Sequence, residues 1–230
     1  MNEFLTGSSF FCIALTLLVF SLSSALQQKT KLTILNPVLI SAALIIGILL
    51  ALDIPNEVYQ SGCQLLTYLL TPATICLAIS LYEQFRELKK HLWCIAAGIL
   101  AGTLCGIGSV YLLCTCMGLD RVLLVSLLPK GVTTAIGAAL SEELGGIAAV
   151  STAVIILAGI VGNMTGPVLC RLLKIDEEIA QGVAYGTASH VIGTSRAVQI
   201  SQLAGAVSSL SLTIAGMVTA VLLSFLTGYI

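Results

Sequence analysis

The chain has 230 residues, of which 57% are hydrophobic and only 9% charged, with a net charge of −1. Its mean hydropathy of +1.06 lies outside the range of water-soluble domains, which could not bury so much apolar surface in a protein core. The near-neutral charge leaves no basic face for nucleic acid.

The apolar residues fall into runs long enough to cross or enter a bilayer, for which a helix needs about 20 residues. In chain order they are Phe4–Leu26, Asn36–Leu52, Gln64–Leu81, Leu92–Met117, Arg121–Leu140, Ile147–Leu169, Ile179–Ala197 and Leu203–Leu226. The runs are continuous, without the alternation of a β-barrel. They predict an all-α, polytopic membrane protein of 7–8 hydrophobic segments. No Lys or Arg precedes the first run, whereas Lys29 and Lys31 follow it, as expected of an uncleaved helix with its N-terminus outside. Lys29/Lys31 and Arg86/Lys89/Lys90 then mark cytoplasmic loops, and the acidic 53–57 loop lies outside. Strict alternation would put Arg171 and Lys174 outside, against the positive-inside rule; a broken or re-entrant element at 121–144 would restore it. No linker divides the chain, so residues 1–230 read as one membrane domain.

Pro72 and Pro129 sit in similar contexts, "LLTPATICLAISLYE" and "LLPKGVTTAIGAALSE", 57 residues apart. Proline suits the first turn of a helix, so both stretches read as half-helices starting within the membrane, the first capped by Thr71. Paired broken helices characterise transporters built from inverted repeats. The shared pattern is short, and coincidence accounts for it equally well.

On a helix starting at Pro129, Lys130, Thr133, Thr134, Gly137 and Ser141 would share one polar face. Lys130 would stand beside the free N–H groups of the helix start, about 13 Å along a helix from Arg121, in a setting suited to an anion. A shallow Lys130 snorkelling to the interface is the alternative.

The stretch "GTASHVIGTSRA" at 186–197 carries His190 and Arg196 among small residues. Six residues apart, they point about 120° apart on a straight helix. A break at Gly193 would let them converge, with Thr187, Ser189 and Thr194 adding hydroxyls. The plainer reading makes His190 a packing residue and Arg196 an interfacial anchor. The cations within the presumed spans lack carboxylate partners, so a small organic anion is the expected counter-ion.

Gly98, Gly102 and Gly106, like Gly159, Gly162 and Gly166, make close-packing faces, within a subunit or between copies in a homo-oligomer. Most of the eight cysteines lie in apolar runs as small hydrophobes. No catalytic constellation, metal set or cofactor motif emerges, and no enzyme activity is expected.

Asn36-Pro37, the stretch at 69–84, "LPKGVTT" at 128–134, "SEELGGI" at 141–147, "GP" at 166–167 and "GTASHVIGTSRA" together resemble the LrgB/CidB family of bacterial membrane proteins. The chain departs from the family at Gly131, where Ser is usual, and at Ser80 and Ala135, where Pro is usual. The resemblance implies a multi-pass protein of the bacterial cytoplasmic membrane with one of two functions. One is antiholin-like control of murein hydrolases and autolysis with a small LrgA/CidA-type partner. The other is transport of small monocarboxylates such as pyruvate, lactate or glycolate, as in the related plastidic glycolate/glycerate translocator. The interior cations favour a carrier in which Lys130 and Arg196 neutralise the carboxylate, His190 binds it or carries a proton, and Thr133, Thr134, Thr187, Ser189 and Thr194 hydrogen-bond it.

Overall fold

The computed structural model describes residues 9–30 and 37–226, without the side chains at 70, 71, 74, 77, 78, 80, 81 and 226. Phe4, Lys31, Asn36 and the proposed Thr71 cap therefore lie outside the described residues. The secondary structure described is all helical, in two compact units, Met1–Cys76 and Leu77–Ile230.

In the first unit, α1 (Ser9–Thr30) packs against α2 (Pro37–Ala51), α3 (Asn56–Gly62) and α4 (Gln64–Tyr68). A Cβ at Gly62 would come within 2.5 Å of Cys12 Sγ, so only glycine lets α3 approach α1 this closely. Thr16 and Tyr59 share a 2.6 Å hydrogen bond across the same seam. The apolar run 64–81 is not one helix. It divides at Leu69, and α5 (Leu70–Glu83) has Pro72 in its first turn, where the missing N–H is harmless.

The second unit continues with α6 (Phe85–Lys90), α7 (Leu92–Cys116), α8 (Arg121–Leu127), α9 (Thr134–Glu143), α10 (Ala148–Leu172), α11 (Glu178–Ile200) and α12 (Gln202–Leu226). Among the described residues, four helices are long and apolar enough to cross a membrane: α1, α7, α10 and α12 over Gln202–Phe225. The remaining apolar runs are shorter or broken, so of the expected 7–8 segments, some broken or re-entrant, four are candidate membrane spans. Their outer surfaces are greasy, as lipid contact requires: Trp93 is 85% exposed and Leu172 74%.

Residues 121–146 form a hairpin. Asp120 caps α8 through a 3.0 Å bond from Leu123 N. The chain unwinds over 128–133, and α9 and the turn after it bring it back against α8, where Ile147 N donates to Ser126 Oγ at 2.8 Å. Ser151 Oγ locks the return by donating to Ser126 O at 2.6 Å. Pro129 therefore does not begin a helix. It lies in the unwound tip, and Thr133 occupies the cap position of α9. Pro72 and Pro129 occupy different local structures, so the pairing read from their contexts does not extend to the backbone.

Helix α11 is also a hairpin. Straight, its 23 residues would extend roughly 35 Å. Instead Ser201 Oγ donates to Glu178 Oε2 at 2.7 Å, joining its two ends. The reversal falls at His190, at φ 41° and ψ −132°, and not at Gly193. Gly193 serves the packing of the arms instead. A Cβ there would meet Tyr185 O at 2.5 Å and Ser189 Cβ at 2.6 Å, so its bareness lets the two arms lie together.

The neighbours of these arms fix direction. Gly98 and Gly102 of α7 face Val183 and Thr187, so α7 runs parallel to the first arm of α11. Gly159, Gly162 and Gly166 of α10 face His190, Ser189 and Tyr185 in turn, so α10 runs antiparallel to it. Five of the six glycines singled out in the sequence are thus close-packing residues. The sixth, Gly106, has nothing within 4 Å of where a Cβ would be. The two hairpins enter from opposite ends of this unit, and their tips meet where Gly131 approaches Thr187 O.

Candidate functional site

A cavity of about 870 Å³ lies beside that meeting point, between α7, the first arm of α11, α12 and the 128–131 tip. Lys130, Gly106, Thr103 and Thr187 line it, with His91 and Glu177 where α7 and α11 begin. Thr187 is ten residues in from Glu177, or about 15 Å at a helical rise, half of a typical hydrocarbon core. Lys130 is held at that depth by the turn that bonds its N–H to Leu127 O at 3.2 Å. The only ion pair within 4 Å among the described residues is the exposed Lys90–Glu87, so no described carboxylate neutralises Lys130. That exposed pair, at one end of the unit, holds the Glu87 carboxyl below its ordinary range, chiefly through the hydrogen bond from Lys90.

Thr103 is the site residue that the sequence reading missed. It is buried, it lines the cavity, and its Oγ1 has no hydrogen-bond partner among the described residues. A helical threonine ordinarily bonds back to the preceding turn, as Thr187 does to Val183 O at 2.8 Å. A buried hydroxyl without a partner and an ammonium without a carboxylate thus line the same cavity. Its only sequence signal is its place next to Gly102 in the small-residue stripe of α7.

The remaining predicted site residues divide into three groups. Thr133 and Thr134 are half-buried at the start of α9, and Thr133 makes no side-chain cap bond. Ser189, His190 and Thr194 hold the α11 tip in place. His190 Nε2–H donates to Ile155 O at 2.8 Å, Thr194 Oγ1 donates to His190 O at 2.9 Å, and Thr194 and Ser208 hydroxyls meet at 2.8 Å. Ser189 fills the space that Gly162 leaves. Arg196 is carried by the return arm to the far end, where Nη1 donates to Gln199 Oε1 at 2.9 Å beside a separate cleft. The structure thus brings Lys130 and Thr187 to one cavity and sets His190 and Arg196 apart from it. A break at Gly193 was expected to aim both at one ligand; the reversal at His190 sends the arginine back toward its helix's origin.

Long apolar helices and two broken hairpins meeting beside a half-buried cation define a helical membrane protein with an internal cavity. The chain belongs to the LrgB-like family, whose model matches residues 16–228. It is similar to a Bacillus subtilis protein called uncharacterized protein YwbG, 37% identical over 94% of this chain and 96% of the relative. It is also similar to the Staphylococcus epidermidis holin-like protein CidB (32%) and the Bacillus mycoides antiholin-like protein LrgB (30%), each over 98% of both chains. No solved structure matches the chain.

Proposed function

We propose that this protein is a carrier for small organic anions, monocarboxylates such as pyruvate, lactate or glycolate, with the Lys130 cavity as its substrate site. The observation that carries this reading is that Lys130, without a carboxylate partner, and the orphan Thr103 hydroxyl line one cavity about halfway through the unit. A cation at that depth in a membrane is costly without a counter-ion, and a carboxylate substrate would supply the missing charge. Thr103 would donate to a carboxylate oxygen, and the Gly131 N–H at the unwound tip would add a backbone donor. Opposed hairpins around a midplane site are the architecture of alternating-access carriers, in which one hairpin at a time opens the site to its side.

The end of the second unit bearing Arg86, Lys89, Lys90, Arg171 and Lys174 would face the cytoplasm, and the end bearing Asp120, Glu142 and Glu143 the exterior. With the 121–146 hairpin leaving on the side it entered, α7 and α10 run in opposite directions and both basic loops would share one end, the repair expected of a re-entrant element at 121–144. That satisfies the charge rule that strict alternation breaks.

The names of the relatives favour a second reading, in which the protein acts with an LrgA/CidA-type membrane partner to control murein hydrolases and autolysis. Uptake of labelled pyruvate, lactate and glycolate into proteoliposomes separates the two. Saturable uptake of at least one acid is expected; uptake no faster than in empty liposomes for all three would leave only the regulatory reading.

A further inference from the structure

The cleft that receives Arg196 is distinct from the Lys130 cavity. It has a volume of about 290 Å³ and lies between the end of α10, the turn after it and the two arms of α11. Arg171, Lys174 and Arg196 line it, against the single carboxylate of Asp176, and none of the four forms an ion pair within 4 Å with any described residue. The turn is fixed: Lys174 takes φ 55° after α10, and Ile175 N bonds back to Cys170 O at 2.8 Å. Gln181 Nε2 ties the first arm of α11 to that turn by donating to Ile175 O at 2.6 Å.

Two buried polar atoms here lack a well-formed hydrogen bond among the described residues: Tyr185 Oη and Arg196 Nε. Tyr185 is only 3% exposed, lines the cleft and stands beside the Arg196 guanidinium. The ring owes its position to Gly166, since a Cβ there would come within 2.7 Å of Tyr185 Oη. The phenol's polar neighbour is a guanidinium that makes no well-formed bond to it, and an added oxyanion would satisfy both groups. Three cations and a phenol lining one small volume, with the Arg196 Nε–H among the unused donors, make a receptor for a tetrahedral oxyanion.

We infer that this cleft, lined by Arg171, Lys174, Tyr185 and Arg196, binds a phosphate group. The same chemistry is offered by the headgroup of an anionic phospholipid and by soluble phosphate. In the orientation proposed above, the cleft lies at the cytoplasmic interface, where basic pockets between helices meet anionic headgroups. Arg196 and Tyr185 grip the phosphate, while Arg171 and Lys174 draw it in from the rim. The site is independent of the carrier's substrate, because no residue named here lines the Lys130 cavity.

The test uses the full chain in phosphatidylcholine nanodiscs with and without phosphatidylglycerol, read by native mass spectrometry and by thermal stability. A second arm titrates inorganic phosphate into pure phosphatidylcholine discs. Retained phosphatidylglycerol, or stabilisation by inorganic phosphate, is expected in the wild type, and the arm that responds names the source. Loss of one charge-assisted bond in Arg196→Gln predicts at least about tenfold weaker binding. Tyr185→Phe should lower affinity several-fold. Arg171→Gln/Lys174→Gln, altering exposed residues only, guards against misfolding as the cause and should weaken binding as well. No preference for either anion in the wild type, or affinity unchanged in all three variants, overturns the assignment.

Discussion

At the scale of single residues, Lys130 and His190 are the two whose settings differ most from those of an ordinary helix. Lys130 was legible as chemistry, because an ammonium between apolar runs needs a reason. Its backbone was not: proline favours a helix start but equally suits a turn, and here the tip of a hairpin claimed it. Lys130→Ala is expected to cut anion uptake by at least tenfold, with Lys130→Arg retaining part of it; Thr103→Val should cost a few-fold through one hydroxyl. Uptake rates at matched protein levels check both. His190 was legible as a buried histidine but not as the reversal point, since glycine is the usual residue at positive φ and Gly193 lies close by. Holding a non-glycine residue at φ 41°, ψ −132° costs about 1–3 kcal/mol, offset by the bond to Ile155 O and by Thr194. His190→Ala loses that bond and keeps the strain, whereas His190→Gly loses the bond and relieves the strain. The glycine variant should therefore be the more stable of the two by about 1 kcal/mol, measured by thermal unfolding in detergent.

At the scale of elements, apolar length locates helices but cannot separate a crossing from a return. The 23 residues of α11 suffice to span a bilayer, and they equally make two half-length arms. The hairpin becomes visible only in its tertiary bonds, such as Ser201 to Glu178. Spin labels at positions 178 and 201, in a background without native cysteines, should give a distance distribution centred well below the roughly 35 Å of a straight helix. A distribution at that longer distance would refute the hairpin. The glycine faces were readable as packing signals because close helix contacts in lipid demand small residues. A Cβ at Gly159 would lie 2.6 Å from the His190 ring, so Gly159→Val should destabilise by about 1–3 kcal/mol. Gly106→Ala, with open space around it, should leave the melting temperature nearly unchanged.

At the scale of the whole molecule, the separation of the Lys130 cavity from the Arg196 cleft is the main departure from the sequence reading. Both residues are cations among apolar runs, and sequence alone leaves open whether they share one ligand or Arg196 is an interfacial anchor. The reversal at His190 gives each its own surroundings, one near the middle of the second unit and one at its basic end. A carrier function rests most heavily on the first of these, as the place where a carboxylate pauses in transit. Exchange of labelled for unlabelled pyruvate or lactate across proteoliposomes, wild type against Lys130→Ala and Lys130→Arg, probes that role without intermediate steps. Saturable exchange is predicted in the wild type, lost in the alanine variant and partly restored by arginine. Exchange that is saturable and equally fast in all three would contradict it.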